Sequence, residues 1–134
     1  MNLPWPARNP ERIEGVETTI DPGDWQALTQ AGDEQDAPPG QVLVREGASG
    51  GSLFVILSGR VVITRGGRRI GELEAGALLG EAAMLDGRPR TASAVVEQQA
   101  RLLVVPGSAV RALIEQRPGL RDALLRAAQA RLLA

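Results

Sequence analysis

The chain has 134 residues, with fifteen basic and sixteen acidic side chains and a formal net charge of −1 at pH 7. A single domain of this length buries about two-thirds of its unfolded surface, which is enough for a stable core. All the basic residues are arginine, and cysteine and histidine are both absent. The composition therefore excludes disulfides, thiol catalysis and imidazole metal ligands, and the balanced charge gives no basis for sequence-independent nucleic-acid binding.

Residues 1–20 are predicted to form an irregular lead segment, because prolines stand at positions 4, 6 and 10. The start of the chain has no apolar leader region, and no stretch reaches the length of a membrane span. We therefore expect a cytoplasmic protein without membrane insertion, folded as a single domain over residues 21–134.

A helix start is predicted at Asp21, which stands before a proline at the first helical position and three residues before a second acid. The helix is expected to end at Ala31. Trp25 and Leu28 lie three residues apart, so they share the helix face that packs on the domain.

From about residue 38 to 105 the chain alternates short runs rich in Val, Ile and Leu with glycine-containing turns, as in an antiparallel β-roll with one wet face. Gly66-Gly67 predicts a tight hairpin, since both central residues of such a turn need positive φ. Gly59 is expected to turn the preceding hairpin. The polar run 33–36 predicts an edge that is short or frayed. The candidate strands are Gln41–Arg45, Leu53–Ser58, Arg60–Arg65, Arg68–Leu73, Thr91–Glu97 and Arg101–Val105.

Two helices are predicted within residues 108–134. Ser108 is placed to cap the first, which runs from about 109 to 116 and is broken by Pro118-Gly119. The second helix runs to the end of the chain, and its apolar face could pack on the roll, act as a lid or serve a dimer. That face is formed by Leu120, Leu124, Ala128 and Leu132.

The most informative segment runs from Gly80 to Ser93 and sets a carboxylate and a guanidinium on either side of a small-residue turn. Backbone N–H groups at Glu81, Ala82 and Ala83 can point the same way at a helix N-terminus and receive an anion. Arg90 can hold two oxygens of a phosphodiester, and Glu81 can accept a hydrogen bond from a sugar hydroxyl. The segment therefore predicts a pocket for a phosphorylated ribose.

This segment closely resembles the phosphate-binding cassette of cyclic-nucleotide-binding domains, the family of the cyclic-AMP receptor and of protein kinase regulatory subunits. The family pattern reads Gly-Glu, two small or apolar residues, an apolar pair, a Gly-x-Pro turn and Arg-[Ala/Ser/Thr]-Ala, and each element has a counterpart here. The family's first strand is usually apolar, whereas this chain has the polar run 33–36. Further runs match the family's strands in order, and the resemblance spans about Pro38 to Leu133. These runs are 39–47, 52–59 and 102–106.

The resemblance implies a mainly β fold with flanking helices. Its centre is an antiparallel β-roll, similar to a double-stranded β-helix or jelly roll. A short N-terminal helix, a short cassette helix and two C-terminal helices surround that roll.

The resemblance also implies roles for individual residues. Arg90 would clamp the cyclic phosphate, Glu81 would bind the ribose 2′-hydroxyl, and Gly80 would bring the backbone close to the sugar. Thr91 could contact the phosphate or guanine, which leaves cAMP and cGMP both open as the ligand. The implied ligand-binding set is Gly80, Glu81, Ala82, Ala83, Arg90 and Thr91, and the possible base wall is Ile63, Ile70, Gly71 and Leu78.

Each of these residues also has a plainer explanation. Arg90 could be a solvated surface arginine or an ion-pair partner, Glu81 could be an acid that complements a helix dipole, and Gly80 could be a turn glycine. The apolar wall residues could simply be core. A lid over the base has no aromatic candidate in the C-terminal segment; Arg126 or Arg131 could stack there instead, and a cyclic dinucleotide stays open as the ligand beside cAMP and cGMP.

Several functions remain open. The favoured one is a non-enzymatic sensor that binds cAMP or cGMP and signals to a protein partner or by self-association. The same fold with an idle pocket would be an interaction module. A transcription regulator is disfavoured because no helix-turn-helix follows and no basic recognition helix is visible. A cupin-like enzyme is disfavoured because histidine ligands for a metal are absent.

Overall fold

The computed structural model describes residues 20–49, 51–80 and 87–133, with side chains described up to Arg126. The described part is mainly antiparallel β structure with helices at both ends, as predicted. The predicted lead segment before Ile20 and the predicted cassette helix lie outside the described residues. The helices are α1 (Pro22–Ala31), α2 (Gly107–Gln116) and α3 (Gly119–Leu133), and the strands are β1 (Asp33–Ala37), β2 (Val42–Val44), β3 (Ser52–Arg65), β4 (Arg68–Leu73), β5 (Leu78–Leu79) and β6 (Ser93–Pro106).

Two long strands, β3 and β6, form the centre of the sheet. Each has 14 residues, and they pair antiparallel from Ser52 opposite Pro106 to Thr64 opposite Ser93. β1 and β2 pair with β6, while β4 and β5 pair with β3. The predicted strands Leu53–Ser58 and Arg60–Arg65 are therefore parts of one continuous strand, β3. The predicted strands Thr91–Glu97 and Arg101–Val105 likewise belong to one strand, β6. The register between β3 and β6 shifts in the middle of the two strands.

The prediction that Gly59 turns a hairpin is wrong. Gly59 lies inside β3, has φ +91°, and sits where the register with β6 shifts between Ser58 and Arg60. A Cβ at this position would lie 2.3 Å from the Gln99 carbonyl oxygen and 2.6 Å from the Ala100 Cα. Glycine is required here because the chain bulges and two backbones approach closely.

The hairpin predicted at Gly66-Gly67 is confirmed. These residues join β3 to β4 with φ angles of 57° and 79°. Both lie in the left-handed region that the two central positions of a type I′ turn require.

The polar edge strand β1 is short, as expected, but it is not frayed. All five residues pair with β6, from Asp33 opposite Val104 to Ala37 opposite Ala100. Arg101 of β6 donates from Nε to Glu34 Oε1 and from Nη1 to Asp36 Oδ1, both at 2.8 Å. These cross-strand ion pairs replace the apolar contacts that the sequence lacks.

The apolar core forms two clusters on opposite faces of β3, because successive side chains of a strand point to opposite sides. Leu53, Val55 and Leu57 face the helices. Ile56 and Val61 face the interior of the roll. The helix-side cluster also contains residues that are at most 2% exposed from α1, β5 and α3: Trp25, Leu28, Leu78, Leu120 and Leu124.

The helix ends match the sequence at one cap and differ at another. Asp21 caps α1, with its Oδ1 accepting from the Asp24 N–H at 2.7 Å, as predicted. The predicted cap at Ser108 is wrong, since α2 begins at Gly107 after Pro106 without a side-chain cap. The Gly107 N–H instead donates to the Gly51 carbonyl at 2.9 Å. A main-chain contact therefore fixes the start of α2.

The carboxylate of Asp24 is buried and holds the junction between α2 and α3. The residue is 7% exposed, and its Oδ1 accepts from Arg117 Nε at 2.5 Å. This hydrogen bond is the main reason that the pKa of Arg117 is raised. The N-terminal and C-terminal helices are thereby joined as one layer.

In the part of the chain that the structure describes, none of the helices has the length and apolar character needed to cross a bilayer.

We expect Gly59→Ala to destabilise the domain by about 2–4 kcal/mol, because the new methyl group meets backbone atoms and the residue keeps a positive φ. Gly67→Ala is the matched control: its φ is +79°, but nothing lies within 4 Å of the added Cβ. That variant should lose only about 1 kcal/mol. Urea unfolding measures both changes, and equal losses would contradict the close approach at Gly59.

Candidate functional site

Arg90 lies in the segment 87–92 that leads into β6, and its backbone is held by the turn after β2. The Arg90 N–H donates to the Ala48 carbonyl, and the Gly47 N–H donates to the Arg90 carbonyl, both at 2.8 Å. Residues 87–89 are exposed, whereas Arg90 is only 7% exposed. The solvated surface arginine considered from the sequence is therefore excluded.

The guanidinium of Arg90 lies against the backbone of two glycines. Its Nη2 donates to the Ser52 carbonyl at 3.2 Å. A Cβ on Gly80 would lie 2.2 Å from Nη1, and a Cβ on Gly51 would lie 3.2 Å from Nη2. Both glycines also have positive φ, +90° for Gly80 and +114° for Gly51. A side chain at Gly80 would fill the space that the guanidinium occupies.

This arrangement gives Gly80 a more specific role than the sequence indicated. The sequence left it as a turn glycine or as a point of close approach to a sugar. In the structure its φ suits a turn, and its missing side chain makes room for Arg90. A guanidinium is positively charged and carries its donors in a fixed fork. The contact between Arg90 and Gly80 therefore suits an oxyanion of the phosphate type.

Thr91 and Ser93, which follow Arg90, are held by side-chain contacts that the sequence did not reveal. Arg65 at the end of β3 donates from Nε to the Thr91 carbonyl at 2.9 Å. The Ser93 hydroxyl accepts from the Glu46 N–H at 2.9 Å. Both donors are 20 or more residues away in the chain, so no local pattern could have indicated them.

The residues named as a base wall do not form one group. Ile63 and Gly71 are partners in the β3–β4 register, and Ile63 packs against the roll-interior cluster. Ile70 is 50% exposed. Leu78 instead belongs to the helix-side cluster, in line with the core explanation.

Some of the other residues predicted to bind the ligand or to form its lid lie outside the part of the chain that the structure describes. Glu81, Ala82 and Ala83 lie outside the described residues. Of the two lid candidates, Arg126 is exposed, and the side chain of Arg131 is not among those described. Among the described residues, acidic side chains form no group of three or more arranged to hold a metal ion.

The family profile described as "Cyclic nucleotide-binding domain" matches residues 34–117. The chain belongs to the cyclic nucleotide-binding domain family. The matched range contains the β sheet, Gly80, Arg90 and α2. Domains of this family bind cAMP or cGMP, and they are regulatory domains that are typically non-catalytic.

Two similar proteins are both longer than this chain. The CRP-like cAMP-activated global transcriptional regulator of Mycobacterium tuberculosis is 32% identical over 126 residues, which are 88% of this chain and 55% of that protein. The cGMP-dependent protein kinase egl-4 of Caenorhabditis elegans is 36% identical over 87 residues, 65% of this chain and 11% of the kinase. The chain thus spans about half of the first relative and a small part of the second.

A solved structure supports the fold over almost the whole chain. The cyclic nucleotide-binding domain from Methylobacillus flagellatus KT superposes with a TM-score of 0.77 at 26% identity, covering 99% of this chain and 81% of that one. The β-roll with flanking helices is therefore the architecture of this family.

The contact between Gly80 and Arg90 can be tested without any ligand. We expect Gly80→Ala to cost about 2–4 kcal/mol, because its Cβ meets the guanidinium and the Ser52 carbonyl. In an Arg90→Ala background the guanidinium is gone, so Gly80→Ala should cost at least about 1 kcal/mol less. A double-mutant cycle by urea unfolding gives this coupling, and additive losses would contradict the contact.

Proposed function

We propose that this domain is a sensor that binds cAMP or cGMP and passes the signal to a protein partner or to a second copy of itself. The observation that carries the proposal is the buried guanidinium of Arg90, held against the backbone of Gly80 inside the cassette segment. Membership of a family of cyclic nucleotide-binding domains supports it independently. Catalysis and direct DNA contact by these residues form no part of the proposal.

The cyclic phosphate would be held by Arg90. Its fork can donate to exocyclic phosphate oxygens while Nη2 keeps its bond to the Ser52 carbonyl. Backbone N–H groups at Glu81, Ala82 and Ala83 would supply further donors, and the Glu81 carboxylate would accept from the ribose 2′-hydroxyl. Thr91 would contact the phosphate or the base.

The base would rest against the β3–β4 ribbon. Ile63 and Gly71 oppose each other there, and the neighbouring Ile70 is a large apolar side chain left 50% exposed. A purine covering Ile70 would remove this apolar surface from water. Since these contacts are not specific to adenine or guanine, the proposal keeps both nucleotides.

The signal would leave through the helices. β5 directly precedes Gly80, and its Leu78 is buried in the same cluster as Leu120 and Leu124 of α3. A cassette that tightens around a phosphate would therefore shift the surface on which α3 packs. Ligand binding would act by favouring one of two packings of these helices.

Titration with cAMP, cGMP and cyclic di-GMP, followed by thermal unfolding, tests the ligand class. A ligand at about one hundred times its Kd stabilises the folded state by about 2.7 kcal/mol, which raises the Tm of a domain of this size by several degrees. We expect cAMP or cGMP to produce this shift. No shift with any of the three at millimolar concentration would reject the sensor and favour an interaction module with an idle pocket.

The clamp is tested by Arg90→Ala, with Arg88→Ala as a matched control in the same segment, where the side chain is exposed. We expect Arg90→Ala to weaken nucleotide binding by about 100-fold, because the variant loses a charge-assisted hydrogen bond that contributes about 2–3 kcal/mol to the binding free energy. Arg88→Ala should stay within about threefold of the wild type. Equal losses in calorimetric titrations would show that general positive charge, and not the clamp, binds the ligand.

The sugar contact is tested with the 2′-deoxy form of the better ligand. The wild type should bind it about tenfold more weakly, because Glu81 loses its hydroxyl partner. Glu81→Ala should bind the two forms equally, while Glu74→Ala, which removes an exposed carboxylate from another part of the chain, should keep the discrimination. Unchanged discrimination in Glu81→Ala would assign the hydroxyl contact elsewhere.

A further inference from the structure

Side-chain contacts reinforce the segment that carries Arg90. Arg65 Nε donates to the Thr91 carbonyl, and the Ser93 hydroxyl accepts from the Glu46 N–H, both at 2.9 Å. These bonds lie immediately C-terminal to the two backbone bonds of Arg90. Arg65 and Glu46 are not among the residues that the family resemblance assigns to the ligand.

The two supporting residues are linked through Gly66. The Glu46 Oε1 accepts from the N–H of Gly66 at 2.9 Å, and Gly66 is the residue after Arg65 at the tip of the β3–β4 hairpin. The hairpin tip is therefore tied to the turn that holds the backbone of Arg90. We call Arg65 and Glu46 the loop bracket.

Arg65 and the backbone of Gly47 hold the two carbonyl groups on either side of Thr91. The Arg90 carbonyl is held by the Gly47 N–H, and the next carbonyl, that of Thr91, is held by Arg65. Each carbonyl fixes the plane of one peptide group, and these two planes flank the Thr91 Cα. Restraining both planes restrains φ and ψ of Thr91 and hence the direction of its Cα–Cβ bond and the rotamers open to its side chain.

We propose that Arg65 is a positioning residue for the nucleotide site, which acts through Thr91, and that Glu46 supports it by binding the next residue of the hairpin, Gly66. The inference rests on the proposed function and deepens it, because it assigns to the β3–β4 hairpin a role in orienting a ligand contact. Arg65 is exposed and makes its bond from Nε. Its contribution is therefore one oriented hydrogen bond and not burial.

Binding measurements with cAMP and cGMP test this role. We expect Arg65→Ala to weaken the better ligand about five- to tenfold. Arg68→Ala is the matched control, because Arg68 is exposed, lies opposite Arg65 in the hairpin register, and its removal changes the net charge equally. The control should stay within about twofold of the wild type. Equal losses in the two variants would overturn the proposal in favour of a general charge effect.

A double-mutant cycle separates positioning from a general structural role. If Arg65 acts through the Thr91 side chain, Arg65→Ala should weaken binding by no more than about twofold in a Thr91→Ala background. If its effect in that background remains five- to tenfold, the proposal is wrong. Arg90 is intact in all these variants, so binding stays measurable.

Glu46 offers a second pair of variants. Glu46→Gln keeps an oxygen acceptor for the Gly66 N–H, whereas Glu46→Ala removes it. We expect Glu46→Gln to bind within about twofold of the wild type and Glu46→Ala to lose about three- to fivefold. Equal binding by these two variants would overturn the part assigned to Glu46.

Amide hydrogen exchange tests the bracket without any ligand. Arg65→Ala should speed exchange at the Gly47 and Arg90 amides at least about threefold, while Arg68→Ala should leave both unchanged. Unchanged exchange in Arg65→Ala would overturn the positioning role. If the wild-type domain binds neither nucleotide, the proposed function fails, and this measurement alone still decides whether Arg65 holds the loop.

Discussion

The structure depends on the bending of β3, one of its two long central strands. β3 has 14 residues, which would extend about 45 Å in a straight strand. Yet the guanidinium of Arg90 touches the carbonyl of Ser52 at one end of β3, while Arg65 at the other end touches the next residue, Thr91. Because Arg90 and Thr91 are adjacent in the chain, the two ends of β3 lie close to the same short segment.

The bend is made by the irregular pairing in the middle of the strand. The register between β3 and β6 shifts between Ile56 and Val61, and Gly59 at the centre of this stretch has a positive φ. Each bulge turns the strand and increases its twist. The setting of Arg90 is thus a consequence of the bend, because in a straight strand the two ends could not both contact Arg90 and Thr91.

Features set by neighbouring residues could be predicted from the sequence, whereas features set by strand pairing could not. The α1 cap at Asp21, the Gly66-Gly67 turn and the cassette segment are local patterns, and the structure or the family match supports each of them. The role of Gly59 cannot be predicted locally, because a turn glycine and a bulge glycine look alike without knowledge of the partner strand. The Arg65 bond to Thr91 joins residues 26 apart and has no local signal.

The polar strand β1 is a second feature that local sequence patterns do not predict. Acidic residues are poor strand formers, so the run 33–36 alone predicts a weak edge. Arg101 of β6 lies opposite Asp36, and its side chain binds both Glu34 and Asp36. Cross-strand pairing overrides local propensity here, and the register that brings Arg101 opposite these acids cannot be known before the fold.

The same geometry links the site to the helices. The cassette begins at Gly80, directly after β5, and Leu78 of β5 is buried with Trp25 of α1 and Leu124 of α3. Asp24 of α1 is bound to Arg117 at the junction of α2 and α3. A movement of β5 would therefore act on one connected helical layer. Because packed interfaces rearrange between discrete states, the proposed sensor would convert a small displacement at Gly80 and Arg90 into a change of helix packing.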